Sequence, residues 1–224
     1  MPLDISRIKA LCFDVDGTLS DTDDQYAARF ARLLSPFTAI LPHRDPNKAA
    51  RWLVMAMESP ANRLFGLPDR LGLDDELHRL GEWLHRERPS NHHFQLIDGI
   101  QAALETLRPY YPMTIVTARG PRGTDAFLQQ FHLRQYFAGV ASSQTTPRTK
   151  PYPDPILWSA AQTNVDPHEC LMIGDTTVDI RAGRAAGSQT VGVLSGFGEE
   201  SELIAAGADA ILPSVAELPH LLAK

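Results

Sequence analysis

The sequence contains few cysteines, and this scarcity excludes two kinds of protein. Only Cys12 and Cys170 occur among 224 residues, and each lies within or at the start of an apolar run. Cysteines in such positions are typically small core residues, since a domain held together by disulfides carries many more cysteines. A structural zinc site also needs more nitrogen and sulfur ligands than these. We therefore expect neither a disulfide framework nor a zinc site.

The sequence also lacks a long apolar run and an excess of positive charge. No run approaches the roughly 20 residues that span a bilayer, and the opening MPLDISRIKA has no signal-peptide block. The 21 Lys and Arg residues face 27 Asp and Glu residues, so the net charge is −6. We therefore expect a cytoplasmic protein with no nucleic-acid or membrane partner. A small anionic ligand is still compatible with this charge, because it needs only a local positive group. No pattern in the sequence indicates an oligomeric state.

The part of the chain that follows residue 99 has the pattern of an α/β protein. Short apolar runs alternate there with amphipathic stretches, which indicates helices packed around a parallel sheet. Together with the first strand, this predicts a three-layer, Rossmann-like α/β fold. The predicted strands are Ile8–Val15, Met113–Thr117, Phe137–Ser142, Cys170–Gly174, Gln189–Val193 and Ala210–Leu212. Helical faces are predicted at Ile100–Leu107, Ala126–Phe131, Ile156–Ala161, Val178–Ala186 and Ser201–Ala206.

One interval breaks this alternation and predicts a second domain. Residues 20–95 contain no convincing strand, whereas apolar residues recur there at helical spacing, as in Leu73, Leu77, Leu80 and Leu84. We therefore predict an α/β core formed by residues 1–19 and 96–224, interrupted by a helical insertion at residues 20–95.

Two aspartates stand where the first strand is predicted to end. Asp14 and Asp16 are two residues apart in Asp-Val-Asp-Gly-Thr, so strand geometry directs both side chains to the same side. A polar turn is the simplest explanation. A calcium-binding loop is excluded, because Leu19 and Gln25 stand where an EF-hand needs glycine and glutamate.

A second acidic cluster follows a later predicted strand. Asp175 and Asp179 are four residues apart at the start of a predicted helix, so each is either a helix cap or a metal ligand. Carboxyl ends of parallel strands meet at one edge of a sheet. Like charges about 4 Å apart repel by about 4 kcal/mol at an effective dielectric of 20. Convergence of the two clusters would therefore require a positive partner, and oxygen ligands favour magnesium.

Two further elements carry groups suited to a phosphate. Thr117, Ala118 and Arg119 follow a predicted strand and precede a helix that begins near Pro121, so they offer a hydroxyl and backbone amides to an anion. The alternative for Thr117 is a simple helix cap. Lys150 stands in a proline-rich stretch with little backbone freedom, which favours an ammonium group directed inward.

These four elements, in this order, resemble the motifs of the haloacid dehalogenase superfamily of phosphohydrolases. The resemblance rests on Asp14 to Thr18, Thr117, Lys150 and Gly174 to Asp179. The helical insertion after the first motif is similar to the cap of the phosphoglycolate-phosphatase-like members. The chain departs from that subgroup in having Ala118 and Arg119 where many relatives carry Asn and Lys.

The resemblance implies a phosphatase that acts on a small phosphorylated metabolite. Asp14 would attack the phosphorus and form an aspartyl-phosphate, while Asp16 would act as general acid and then as general base. Mg²⁺ would be held by Asp14, the backbone carbonyl of Asp16 and Asp175. Thr117, Ala118, Arg119 and Lys150 would bind the substrate, and Asp179 would orient Lys150 or a metal-bound water.

The resemblance also leaves other activities open. A dehalogenase needs no acid for a halide leaving group, so the presence of Asp16 argues against it. A phosphomutase acting on a sugar phosphate, or a pyrophosphatase, would share the core residues. A phosphate-responsive signalling module is a non-enzymatic alternative, although such modules are shorter and need no cap.

Overall fold

The computed structural model describes residues 3–21 and 94–223 of the protein. The predicted helical insertion at residues 20–95 therefore lies almost entirely outside the described residues. Its boundaries and helices stay predictions.

A parallel sheet forms the centre of the described structure. Its six strands are arranged in the order β3-β2-β1-β4-β5-β6. The strands are β1 (Ala10–Phe13), β2 (Met113–Val116), β3 (Phe137–Ala141), β4 (Cys170–Gly174), β5 (Gln189–Val193) and β6 (Ala210–Leu212). All six predicted strands are present. The first is shorter than predicted because Val15 leaves the sheet, where its carbonyl accepts hydrogen bonds from the amides of Thr18, Leu19 and Ser20 in a tight turn.

Helices cover both faces of this sheet. They are α1 (Ile100–Leu107), α2 (Pro121–Gln130), α3 (Asp154–Thr163), α4 (Thr177–Ala186), α5 (Glu200–Ala206) and α6 (Leu218–Leu222). The first five were predicted from the sequence, and the short α6 was not. Helices on both faces of a parallel sheet confirm the predicted three-layer α/β fold. None of the helices in these two described stretches is long and apolar enough to span a membrane.

The core is divided by the sheet because neighbouring strand residues point to opposite faces. Leu11 and Phe13 belong to one apolar cluster, whereas Cys12 belongs to the other. Both faces of β1 are therefore buried, which explains its continuous apolar sequence. Cys12 and Cys170 are buried free thiols, as predicted.

The central strands determine where the polar groups that follow them leave the sheet. Phe13 of β1 is in register with Ile115 of β2 on one side and with Ile173 of β4 on the other. The residues that follow these three strands therefore leave the sheet side by side at its carboxyl edge. This is the edge where ligands bind in open α/β sheets.

Candidate active site

Asp14 is the first residue beyond β1 and lies at the centre of the carboxyl edge. Its amide donates to the carbonyl of Ile173 at 2.9 Å, which continues the pairing with β4. The residue is only 6% exposed. Further along the loop, Gly17 has a φ of +73°, and a Cβ there would lie 2.4 Å from Asp175 Oδ2. The loop can therefore approach Asp175 only with glycine at this position.

Asp175 follows β4 and is fully buried beside the first loop. Its Oδ1 accepts a hydrogen bond from Thr18 Oγ1 at 3.1 Å, and its Oδ2 accepts one from the amide of Phe197 at 2.9 Å. Donors from two separate loops therefore hold this carboxylate in one orientation.

Lys150 lies buried between two carboxylates. Its Nζ is 2.8 Å from Asp14 Oδ1 and 2.6 Å from Asp179 Oδ1. The other oxygen of Asp179 accepts from the amide and the hydroxyl of Thr176, at 3.0 and 2.7 Å, in the capping box of α4. Asp179 is thus a helix cap, one of the two alternatives that the sequence left open. The same carboxylate also orients Lys150.

The charges of this cluster do not balance. Asp14, Asp175 and Asp179 are all buried, and each offers one carboxylate oxygen within 4.8 Å of the others. Lys150 supplies one ammonium group to this set. Burial raises the pKa of Asp14 to about 8, although Lys150 opposes the shift. Burial by itself would lower the pKa of Lys150, but Asp14 and Asp179 outweigh it and hold that pKa above its usual value.

This donor set fits a hard divalent cation. Closely spaced carboxylate oxygens are the ligands that Mg²⁺ takes in proteins, and the surplus of buried negative charge would be relieved by a cation. The predicted ligands Asp14 and Asp175 are brought together. Asp179 lies within the same group, but its two oxygens already accept bonds from Lys150 and Thr176. Its carboxylate is therefore better suited to orient Lys150 than to bind a metal.

Asp16 stands apart from the buried cluster. Its side chain is 35% exposed, and its two carboxylate oxygens are held by Arg119. Nε donates to Oδ2 at 3.1 Å, and Nη2 donates to Oδ1. The resemblance predicted Asp16 as the acid and base and Arg119 as a substrate contact. The structure brings these two side chains into one bidentate ion pair.

Thr117 and Ala118 follow β2 at the same edge. Thr117 is buried, and its amide donates to the carbonyl of Ala141 at 2.8 Å. Its hydroxyl oxygen accepts a hydrogen bond from the amide of Arg119 at 3.1 Å, so its own proton can still be donated to a ligand. Ala118 is exposed between them.

The loop after β5 supports the site and was not predicted from the sequence. Ser195 Oγ donates to the carbonyl of Gly17 at 2.8 Å. A Cβ on Gly196 would lie 2.1 Å from Asp175 Oδ2, and one on Gly198 would lie 1.9 Å from the carbonyl of Asp175. The Ser-Gly-Phe-Gly sequence after a predicted strand was the available signal, since paired glycines often mark a close backbone approach.

The chain is similar to known proteins of one family. A family model described as haloacid dehalogenase-like hydrolase matches residues 11–193. The phosphoglycolate phosphatase of Nitrosospira multiformis is 31% identical over 225 residues, which cover 97% of this chain and 96% of that protein. The pyrophosphatase PpaX of Bacillus cereus is 27% identical over 224 residues, covering 97% and 98% of the two chains. A hydrolase structure from Pseudomonas syringae superposes with a TM-score of 0.67 at 25% identity and covers 95% of this chain and 97% of its own.

Proposed function

The chain belongs to the haloacid dehalogenase-like hydrolase family, as its motifs predicted, and on this premise we propose that it is a magnesium-dependent phosphatase. Its substrate would be a small phosphomonoester, hydrolysed through an aspartyl-phosphate. The observation that carries the proposal is the buried contact of Asp14 with Lys150, beside Asp175 and at the carboxyl edge of the sheet. The groups that we propose as nucleophile, phosphate-binding cation and metal ligand are thus neighbours.

In the first step, a carboxylate oxygen of Asp14 attacks the phosphorus and the bond to the leaving oxygen breaks. Asp16 donates a proton to that oxygen. Lys150 and the hydroxyl of Thr117 bind the non-bridging oxygens, while Asp179 keeps the ammonium group of Lys150 in place. In the second step, Asp16 accepts a proton from water as that water attacks the phosphorus of the aspartyl-phosphate. Phosphate is released and Asp14 is restored.

Mg²⁺, held by Asp14, the backbone carbonyl of Asp16 and Asp175, would neutralise the charge of the phosphoryl group and favour the ionised form of Asp14. The second effect matters because burial, together with the neighbouring Asp179 and Asp16, raises the pKa of Asp14 to about 8 although Lys150 opposes the shift. A nucleophilic carboxylate must be ionised, so the site needs positive charge before it can react.

The relatives support two substrate classes. One is named a phosphoglycolate phosphatase and the other a pyrophosphatase, at similar identity to this chain. We propose a phosphomonoester as the principal substrate, because Asp16 at this position can protonate an alcohol leaving group. Pyrophosphate is the second candidate, supported by the pyrophosphatase relative.

The test is a phosphate-release assay with purified protein. We expect hydrolysis of para-nitrophenyl phosphate with Mg²⁺ and none with EDTA, and metal-independent turnover would contradict the proposed roles of Asp14 and Asp175 as ligands. A panel of phosphoglycolate, sugar phosphates, nucleotides and pyrophosphate then identifies the substrate by kcat/KM. Isomerisation of a sugar phosphate without phosphate release would instead indicate a mutase.

A further inference from the structure

The environment of Arg119 assigns this residue a role that its predicted contact with substrate does not describe. Both of its directed hydrogen bonds go to the carboxylate of Asp16, through Nε and Nη2. The third nitrogen, Nη1, is buried without a hydrogen-bond partner among residues 3–21 and 94–223. In this arrangement two of the three guanidinium nitrogens are held by the carboxylate of Asp16.

Helix α2 and Phe94 hold the guanidinium group in that position. Its central carbon lies 4.8 Å from the ring centre of Phe94 and 5.6 Å from that of Phe127, and the two rings contact each other edge to face. A Cβ on Gly123 would lie 3.3 Å from Cγ and Cδ of Arg119, so the side-chain stem passes close to the first turn of the helix. The arginine side chain is 13% exposed.

Asp16 needs such support more than Asp14 does. Its side chain is 35% exposed, and a partly exposed carboxylate without a partner samples several rotamers. A bidentate guanidinium contact fixes both the position and the plane of a carboxylate. It occupies only some of the four lone-pair directions of the two oxygens, so a proton can still be exchanged with the substrate.

We infer that Arg119 is a positioning residue for the general acid and base Asp16. Its guanidinium group, which lies against the Phe94 and Phe127 rings, makes the bidentate contact that sets how well Asp16 protonates the leaving group. This inference rests on the proposed function. It predicts that loss of Arg119 matters most when the leaving oxygen needs a proton.

The experiment compares two esters of similar shape, phenyl phosphate and para-nitrophenyl phosphate. Nitrophenolate leaves readily without a proton, whereas phenolate depends more on the acid. We use Arg119→Met, which keeps an unbranched apolar chain beside the two rings, and measure kcat/KM because it reports the steps through the first phosphoryl transfer. We expect a loss of about 10-fold or more for phenyl phosphate and less than about 3-fold for para-nitrophenyl phosphate.

Three further variants make the test specific. Asp16→Asn should show the same preference with a larger loss, and adding Arg119→Met to it should cause no further change, since the two residues act as a unit. Arg119→Lys keeps the charge but cannot make the bidentate contact, so it should stay within about 3-fold of Arg119→Met. The matched control is Arg148→Met. Arg148 pairs with Asp154 and lies 4.7 Å from the Tyr152 ring centre, but it is 57% exposed and outside the cluster, so both esters should be hydrolysed normally.

Other outcomes would overturn the inference. An equal loss on both esters would mean that Arg119 binds the phosphoryl group, and an unchanged rate would mean that it has no part in the reaction. Complete recovery by Arg119→Lys would show that charge alone suffices. Asp14→Asn in the same assay separates this inference from the proposed function: if that variant keeps wild-type activity, the proposed mechanism fails whatever Arg119 does.

Discussion

Asp14 and Asp16 are two residues apart in the chain, yet the structure gives them opposite surroundings. Asp14 is 6% exposed and contacts a buried lysine in a set of three buried carboxylates. Asp16 is half-buried and paired with an arginine that lies on aromatic rings. The difference fits two kinds of chemistry. A nucleophile must stay fixed against one phosphorus atom, whereas an acid and base must exchange protons with both a leaving group and water.

The largest expected effect comes from removing the proposed nucleophile. Asp14→Asn keeps the shape of the side chain but removes the attacking carboxylate, so turnover should fall roughly 10⁴-fold or more. The measurement is phosphate release with Mg²⁺, together with acid-quenched labelling of the protein by radioactive substrate. Circular dichroism should show a folded variant. Normal turnover or normal labelling would mean that another residue is the nucleophile.

Removing Asp16 should have a smaller effect on the rate. Loss of a general acid and base costs typically 10²- to 10⁴-fold, so Asp16→Asn should retain measurable kcat where Asp14→Asn does not. The fold should be unaffected because the side chain is 35% exposed. If the two variants were equally inactive and equally labelled, the separate roles assigned to the two aspartates would be wrong.

The buried cluster around Asp14 should also contribute more to the free energy of unfolding than the exposed ion pairs do. Lys150→Met leaves Asp14 and Asp179 without their ammonium partner, and breaking a buried ion pair in this way costs about 3–5 kcal/mol. Urea denaturation of the metal-free protein measures the loss.

Lys9→Met is the matched control for this substitution. Lys9 pairs with Glu169 but is 59% exposed, so its removal should change the free energy of unfolding by no more than about 1 kcal/mol. Equal losses for the two lysine variants would show that burial does not distinguish the two pairs.

The pH dependence of stability sharpens the comparison further. Burial raises the pKa of Asp14 from 3.8 to about 8 in the folded protein. The folded state therefore binds this proton more tightly than the unfolded state, and its stabilising contribution is complete below about pH 4 and lost as the pH rises through about 8. In EDTA, the Tm of the wild-type protein should fall relative to that of Asp14→Asn over this interval. Parallel Tm curves would contradict the shift.

Mg²⁺ should reduce the difference in Tm between the wild-type protein and Asp14→Asn near pH 8. A cation that binds only the folded protein stabilises it, and it binds the ionised carboxylate of Asp14. We therefore expect Mg²⁺ to raise the Tm of the wild-type protein near pH 8 more than that of Asp14→Asn. An equal increase for both proteins would argue against Asp14 as a ligand.

The sequence by itself determined the sheet and the edge at which the polar residues of the proposed site collect. Apolar runs between amphipathic stretches predicted every strand of the described sheet. The signal was strong because the four inner strands are buried on both faces and are therefore mostly apolar. Polar residues directly after those runs predicted one site, because parallel strands end at the same edge. Asp14, Thr117 and Asp175 could therefore be assigned together from the order of the motifs.

Only the tertiary structure decided which side chains pair. Spacing along the chain left Asp179 either a cap or a ligand, and its position beside Lys150 depends on how the loop after β3 packs on α4. The contact between Asp16 and Arg119, and the packing of the loop Ser195 to Gly198 around Asp175, likewise depend on how separate segments pack together. These partners are far apart in the sequence, and no local pattern specifies distances between segments that only the folded core brings together.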